Sequence, residues 1–210
     1  MAELKIGRLT MGVCATNCYF IYEEGKEEVI FVDPADRGEE IYEALSQRGF
    51  SVAGILLTHG HFDHIWGLDA LRKKSGAKAY AYEGERELCR DADLNVSERV
   101  GRACSVDADV YVKDGEEITI AGMSCKLIAT PGHTSGSCCY YFKDGGFLLS
   151  GDTLFAESVG RTDLPTGSAG EIVRSIREKL FVLPDETRVY PGHGEMTTIG
   201  HEKEYNPFCV

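Results

Sequence analysis

Four side chains that commonly bind metal ions lie within six consecutive residues, in the segment 58–64 (Thr-His-Gly-His-Phe-Asp-His). Histidine and carboxylate ligands together suit borderline metals, among which zinc is favoured and iron and manganese are alternatives. His59 and His61 alternate with non-ligands, so in an extended backbone they lie on one side. Asp63 and His64 are adjacent, which predicts that they point apart and serve a different ion. The spacing therefore predicts two metal sites; the alternative is a polar loop whose histidines only form hydrogen bonds.

Three further ligand-type residues, His133, Asp152 and His193, each follow a segment that the residue pattern predicts to be a strand. Of the six histidines in the chain, only His201 lies outside these strand ends. It belongs to the segment 195–210, which we interpret as a short polar tail, so it is not expected to bind metal. Because four separate strand ends deliver ligand-type residues, the sequence predicts one site assembled from distant segments.

Apolar runs and turn residues predict the elements that position these side chains. Asp33 ends a buried strand and is interpreted either as an acceptor that orients a metal ligand or as a cap for the following segment. The histidine loop follows a strand at 52–57, and a helix is expected over 65–75. Residues 83–104 are charged and irregular and remain unassigned. Further strands are predicted at 4–10, 18–22, 29–32, 77–82, 109–113, 117–128 (with a turn at Ala121-Gly122), 138–142 and 147–150, and further helices at 37–48 and 169–181.

The composition is that of an ordinary globular protein of 210 residues with a net charge of −12. This length allows a sizeable core, and we expect one domain over 1–210. An acidic chain is poorly suited to gripping a phosphate backbone, so a nuclease and a nucleic-acid partner are not expected. The sequence has no apolar run of transmembrane length and no signal-peptide pattern, which predicts a cytoplasmic protein without a membrane partner. The oligomeric state is not predicted.

The eight cysteines include no Cys-x-x-Cys pair. Several lie in apolar strand-like runs, such as the segment 138–142. In a cytoplasmic chain this pattern predicts reduced, partly buried thiols. The alternative is a redox pair formed by Cys14 and Cys18.

The motifs T-H-G-H-F-D-H, P-G-H-T, S-G-D-T and P-G-H-G, in this order, resemble those of the metallo-β-lactamase-fold hydrolases. The match covers residues 5–208. Within that group the chain is most similar to short bacterial glyoxalase II-like (hydroxyacylglutathione hydrolase-like) members, which have similar residues at 159–165 and 197–208. The resemblance implies an α/β (α+β) protein with a four-layer αβ/βα sandwich, in which helices cover two facing sheets and the ligand loops share one edge.

The resemblance also implies a reaction. A water shared by two divalent cations loses a proton near neutral pH and attacks a carbonyl carbon. A thiolate leaves without strong general-acid assistance, so the implied partner is a small-molecule thioester of the hydroxyacylglutathione type. Asp63 and Asp152 are the expected catalytic residues. The implied metal ligands number seven: His59, His61 and His133 for the first ion, Asp63, His64 and His193 for the second, and Asp152 between the two.

Several other functions share this scaffold. A lactonase uses the same seven ligands, and a persulfide dioxygenase resembles the chain at Gly-Arg-Thr-Asp (160–163) but holds one iron with two histidines and an aspartate. A β-lactamase is disfavoured because those enzymes are exported and many have a cysteine where Asp152 stands. A metal-binding protein without catalysis would leave the site idle.

Larger glyoxalase II members hold glutathione with a C-terminal helical domain, so the resemblance does not predict how this chain would recognise glutathione. Only seventeen residues follow His193 in this chain. Arg161 has two interpretations, a contact with an anionic substrate or an ion pair with Asp163 that fixes its loop.

Overall fold

The computed structural model describes residues 3–209 and contains two six-stranded sheets and one two-stranded ribbon. In the first sheet the spatial order of the strands is their order in the chain. Its first three strands pair antiparallel and the remaining neighbours pair parallel. The strands are β1 (Leu4–Met11), β2 (Thr16–Glu23), β3 (Glu28–Val32), β4 (Ser51–Leu56), β5 (Lys78–Tyr82) and β6 (Val110–Val112).

The second sheet contains the later strands in the order β14-β13-β10-β9-β8-β7. Because β8 and β10 both run antiparallel to β9, and β13 runs parallel to β10, the strands β8, β10 and β13 end at the same edge. The ribbon lies between β10 and β13 in sequence. The strands are β7 (Glu117–Ile120), β8 (Met123–Ala129), β9 (Cys138–Phe142), β10 (Phe147–Gly151), β11 (Leu154–Phe155), β12 (Ser158–Val159), β13 (Arg188–Pro191) and β14 (Thr197–Thr198).

Helices cover the outer face of each sheet. Leu45 of the first helix and Leu71 of the third pack on the first sheet, and Ile172 of the fifth and Ile199 of the sixth pack on the second. The fifth helix continues as a π-helical segment, Ile176–Leu180. The helices are α1 (Gly38–Ser46), α2 (Phe62–Ile65), α3 (Leu68–Ser75), α4 (Arg86–Arg90), α5 (Ala169–Ser175) and α6 (Ile199–Tyr205).

Strand alternation divides the core into layers. Ile30 of β3 contributes to the cluster between the sheets, whereas its neighbour Phe31 packs with the helices outside the first sheet. The second sheet contributes Leu127, Tyr140 and Leu149 to the same cluster between the sheets. Successive side chains on a strand point to opposite faces, so a strand buried on both faces is apolar throughout. Each fully buried aliphatic side chain contributes about 1.5–3 kcal/mol to this core.

These layers confirm the predicted four-layer αβ/βα sandwich. The predicted turn at Ala121-Gly122 is also confirmed, since it separates β7 from β8. Two local predictions were wrong. The helix expected over 65–75 is two helices: α2 begins earlier, at Phe62, and ends at Ile65, and α3 begins only at Leu68. The break occurs where Gly67 N donates to the carbonyl oxygen of Pro34 (2.8 Å) instead of to the preceding turn. The tail contains α6, with Ile199, Glu202 and Cys209 buried.

The unassigned segment 83–104 begins with a 3₁₀ turn at Glu83–Glu85 that leads into α4, and turns follow. Within residues 3–209, no helix combines the length and apolarity that crossing a membrane requires.

Candidate metal centre

The histidine loop follows β4 and is fixed at its start by Asp33. The Asp33 carboxylate accepts hydrogen bonds from Thr58 N (2.8 Å) and Thr58 Oγ1 (2.6 Å). Thr58 lies close to Asp33 because β3 and β4 pair parallel and end at the same edge of the sheet. After the loop, α2 begins at Phe62, so Asp63 and His64 lie on a helical turn.

One group of potential ligands consists of His59, His61 and His133, which offer nitrogen atoms within 4.8 Å of one another. Nδ1 of His61 lies 2.9 Å from Nε2 of His133. Nδ1 of His133 lies 2.7 Å from the carbonyl oxygen of Arg161. A carbonyl only accepts, so Nδ1 of His133 carries the proton and Nε2 presents its lone pair to the group.

A second group consists of Asp63, His64 and His193, within the same distance of one another. Nε2 of His193 lies 3.3 Å from Oδ2 of Asp63, and Nε2 of His64 lies 3.9 Å from that same oxygen. The expectation that Asp63 and His64 point apart was wrong, because it assumed an extended backbone where α2 is helical. Thr16 Oγ1 donates to the Asp63 carboxylate (3.1 Å), a contact that the sequence did not indicate.

Asp152 lies between the two groups. Its Oδ2 is 3.6 Å from Nε2 of His133 and 3.4 Å from Nε2 of His193. Its Oδ1 is 3.4 Å from Nε2 of His64, and together with His59 these residues form a third overlapping group. The geometry therefore allows one carboxylate to contact an ion in either group.

Asn17 of β2, in the first sheet, holds the loop that carries His193. Asn17 Nδ2 donates to the carbonyl oxygens of Pro191 (3.1 Å) and Gly194 (2.9 Å). Gly192 precedes the histidine, and a Cβ atom there would lie 2.2 Å from Oδ1 of Asp152. Glycine is thus required at this position of the P-G-H-G motif for Asp152 to approach.

The hydrogen bonding of these residues fits a bound cation. Four buried side-chain atoms of the described residues lack a hydrogen-bond partner: Nε2 of His59, His61 and His64, and Oδ1 of Asp152. Buried polar atoms are normally paired, because leaving one unpaired costs about 1–3 kcal/mol. All four belong to ligand-type residues, and a metal ion would satisfy such lone pairs.

The protonation behaviour of the two groups differs. Burial lowers the pKa of His61 to about 3 and that of His59 well below its ordinary value, so both remain neutral. Burial also lowers the pKa of His193, but hydrogen bonds to Asp152 and Asp63 more than offset this and raise it to about 9. At His64 burial is likewise outweighed by Asp152, Asp63 and Asp33, and the pKa lies well above its ordinary value.

The remaining sequence-level candidates lie apart from these groups. Arg161 donates two hydrogen bonds to Asp163, at 2.7 and 2.8 Å, so the predicted ion pair is present. His201 lies 3.0 Å from Glu157 Oε1 and belongs to none of the three ligand groups. All eight cysteines are free thiols, including Cys14 and Cys18.

Comparison with known proteins agrees with this geometry. The family model of the metallo-beta-lactamase superfamily matches residues 11–193, and the chain belongs to this superfamily. It is 36% identical over 207 residues to the “Probable metallo-hydrolase YqgX” of Bacillus subtilis, covering 98% of this chain and 97% of the relative. It is 30% identical over 196 residues to the hydroxyacylglutathione hydrolase GloC of Haemophilus influenzae, covering 91% and 92%.

Solved structures show the same fold. The B3 metallo-beta-lactamase BLEG-1 superposes with a TM-score of 0.92 at 37% identity, covering 97% of this chain and 99% of the other. TTHA1623, solved in a di-iron-bound form, gives 0.85 at 31% identity, covering 96% and 99%. ETHE1 from Myxococcus xanthus gives 0.80 at 28% identity, covering 97% and 83%.

Proposed function

We propose that this metal-dependent hydrolase cleaves small 2-hydroxyacyl thioesters of the hydroxyacylglutathione type, using two divalent metal ions, with zinc favoured. The proposal rests on one observation, the convergence of seven ligand-type side chains: two groups of three, with Asp152 between them and close to both. Similarity to the hydroxyacylglutathione hydrolase GloC supports the substrate class. Similarity to TTHA1623 supports a binuclear centre and keeps iron as an alternative.

His59, His61 and His133 would hold the first ion, and Asp63, His64 and His193 the second. When bound, such a pair lowers the pKa of a shared water and polarises a carbonyl oxygen. Asp152 would reach both ions, and its negative charge offsets part of their mutual repulsion. Thr16 Oγ1 orients Asp63 through the hydrogen bond described above, and Oδ2 of Asp33 orients His64 from 2.9 Å away from its Nδ1.

The substrate would approach from the side of His193. Its side chain is 28% exposed, whereas those of Asp63 and Asp152 are 11% exposed and His64 is fully buried. Phe155 lies beside it, with ring centroids 6.3 Å apart. A thioester suits this site because its thiolate leaves as a stable anion, so no strong proton donor needs to stand beside the leaving group.

A persulfide dioxygenase is the second candidate, because the chain resembles that class at Gly-Arg-Thr-Asp (160–163) and is structurally similar to ETHE1. Such an enzyme holds one iron with two histidines and an aspartate. The present chain places further ligand-type side chains in the same centre, including the group of Asp63, His64 and His193. This surplus favours the binuclear hydrolase.

The test is an assay of metal-loaded protein with S-lactoylglutathione, in which release of free thiol is measured. We expect thiol release by the unsubstituted protein and by His201→Ala, and its loss in His59→Ala and after chelation. The same preparations are given glutathione persulfide with oxygen recorded, a β-lactam and an acyl lactone. Oxygen uptake with glutathione persulfide, together with no thiol release from S-lactoylglutathione, would assign a dioxygenase. Ring opening of the β-lactam or the lactone without thioester cleavage would assign a different hydrolase.

A further inference from the structure

A buried carboxylate that belongs to none of the ligand groups lies beside the first group. Glu85 ends the 3₁₀ turn before α4 and is 1% exposed. Its Oε1 accepts a hydrogen bond from Gly60 N (2.9 Å). Its two oxygens also accept from Thr134 Oγ1, at 2.9 and 3.0 Å.

These donors belong to two different ligand loops. Gly60 lies between His59 and His61, and Thr134 directly follows His133. One carboxylate therefore accepts hydrogen bonds from both loops that supply the first group, from a backbone N–H in one and a threonine hydroxyl in the other. His61 and His133 are separated by 72 residues in the chain. Glu85 forms hydrogen bonds with the segments of both.

The glycines in these loops show how closely the loops fit this segment. A Cβ atom at Gly60 would lie 2.7 Å from Sγ of Cys89 in α4, and one at Gly136 would lie 2.3 Å from Oε2 of Glu85. Both distances are too short for a side chain. The loops thus lie directly against the 3₁₀ turn and α4, and a displacement of Glu85 would be transmitted to both.

Burying the Glu85 carboxylate at this position costs free energy. Burial raises the pKa of Glu85 to about 7, although hydrogen bonds from Gly60 and Thr134 oppose that rise. All of these partners are neutral donors rather than cations. Apolar packing would fill the same space at lower cost. What an apolar side chain would not supply is the directional hydrogen bonding to both loops.

We propose that Glu85 is a positioning residue for the first metal group: its carboxylate holds the loops of His59, His61 and His133 so that their nitrogens converge before a cation binds. The inference rests on the proposed metal centre and adds a residue that does not touch the ion. Outer partners of this kind change metal affinity by about 10- to 100-fold when they are substituted.

The test compares Glu85→Gln with Glu202→Gln. Glu202 is a matched control because it is also fully buried and accepts from a backbone N–H (Glu157), a threonine hydroxyl (Thr197) and Asn206. Both changes are made in chains that carry His193→Ala, so that bound Co²⁺ reports on the first group. Co²⁺ affinity, its d–d absorption spectrum and the thermal unfolding midpoint are then measured for each chain.

We expect Glu85→Gln to weaken Co²⁺ binding about 10- to 100-fold and to change the spectrum, whereas Glu202→Gln lowers the unfolding midpoint with an unchanged spectrum. Equal affinities and identical spectra in the two variants would overturn the positioning role. If His193→Ala alone and the unsubstituted protein both fail to bind Co²⁺, the proposed metal centre is wrong, and the role of Glu85 is overturned with it.

Amide hydrogen exchange provides a measurement that does not depend on the folding of a variant. In the unsubstituted protein we expect the amide of Gly60 to be protected equally with and without metal, because Glu85 holds it in both states. Protection that develops only on metal binding would show that the ion, rather than Glu85, orders this loop, and would overturn the inference.

Discussion

Nδ1 of His64 lies 2.9 Å from Oδ2 of Asp33, and both side chains are buried. The carboxylate fixes the imidazole with Nδ1 as donor and leaves Nε2 for the second ligand group. It also accepts from the backbone N–H of Thr58. The sequence offered two interpretations of Asp33, an acceptor that orients a ligand or a cap for the following segment. The contact with His64 matches the first, whereas Thr58 lies 25 residues along the chain and is not part of the segment that follows Asp33.

Asp33→Asn should therefore weaken the second ion more than the first. The asparagine loses the charge that favours the His64 hydrogen bond, and we expect about a 10- to 100-fold loss of second-site affinity. Asp33 has a φ of 52°, which asparagine tolerates, so backbone strain does not confuse the result. Competitive titration with a chromophoric chelator measures both affinities. Asp36→Asn, at a carboxylate that pairs with Arg102, is the control and should change neither.

His201→Ala should leave the metal content intact. His201 lies on α6 with its ring against Glu157, and that exposed pair contributes less than about 1 kcal/mol. We expect unchanged metal stoichiometry by elemental analysis and a nearly unchanged unfolding midpoint. A clear loss of metal would show that α6 contributes to the centre.

The parts of this site that the sequence predicted are those encoded in short contiguous strings. Two ligand-type residues spaced two positions apart can be recognised from the sequence without any knowledge of packing. The same is true of a Pro-Gly-His string after an apolar run. The shared edge followed from strand ends, and the structure places those ends together through β3 and β4 in one sheet and β8, β10 and β13 in the other.

The errors have physical causes. The helix α2 has four residues, too few for a helical period to appear, so Asp63 and His64 were treated as extended chain. In the tail, Ile199 and Cys209 are buried by the outer face of the second sheet, but they are too sparse to suggest an amphipathic helix. Glu85 contacts residues 25 and 49 positions away, and no local pattern records such a contact.

Metal binding should release protons unequally from the two groups. In the metal-free protein His61, with a pKa near 3, is neutral at pH 7, and burial likewise lowers the pKa of His133. His193, with a pKa raised to about 9, carries a proton at that pH, and the pKa of His64 is also raised, because at both residues nearby carboxylates outweigh the effect of burial. An ion that binds the second group must therefore displace protons, whereas an ion that binds the first group finds its histidines already neutral.

The second ion should thus bind more tightly as the pH rises from 7 towards 9, while the first changes little. For the metal-free fold the sign is opposite: stability from the raised pKa of His193, to about 9, is present below the ordinary histidine value and is lost as the pH rises through 9. Calorimetric titration in buffers of different ionisation enthalpy counts the released protons. Equal release by both ions would contradict this prediction.

Asp152→Asn should weaken both ions, because among residues 3–209 Asp152 is the one carboxylate that lies against both groups. Asparagine preserves size and hydrogen bonding but removes the charge that offsets repulsion between two nearby cations. Thioester hydrolysis should fall by about two to three orders of magnitude, as when a preorganised electrostatic group is lost. His193→Ala is the matched comparison, since it removes a ligand of the second ion alone and should cost less metal.

Metal titration of these two variants side by side separates bridging from a purely structural role. If Asp152 only accepted backbone hydrogen bonds in the turn after β10, asparagine would largely replace it. Both ions would then bind nearly as in the unsubstituted protein. That result would remove the centre of the two-metal proposal, because no other carboxylate in the described chain lies within 4 Å of a histidine from each group.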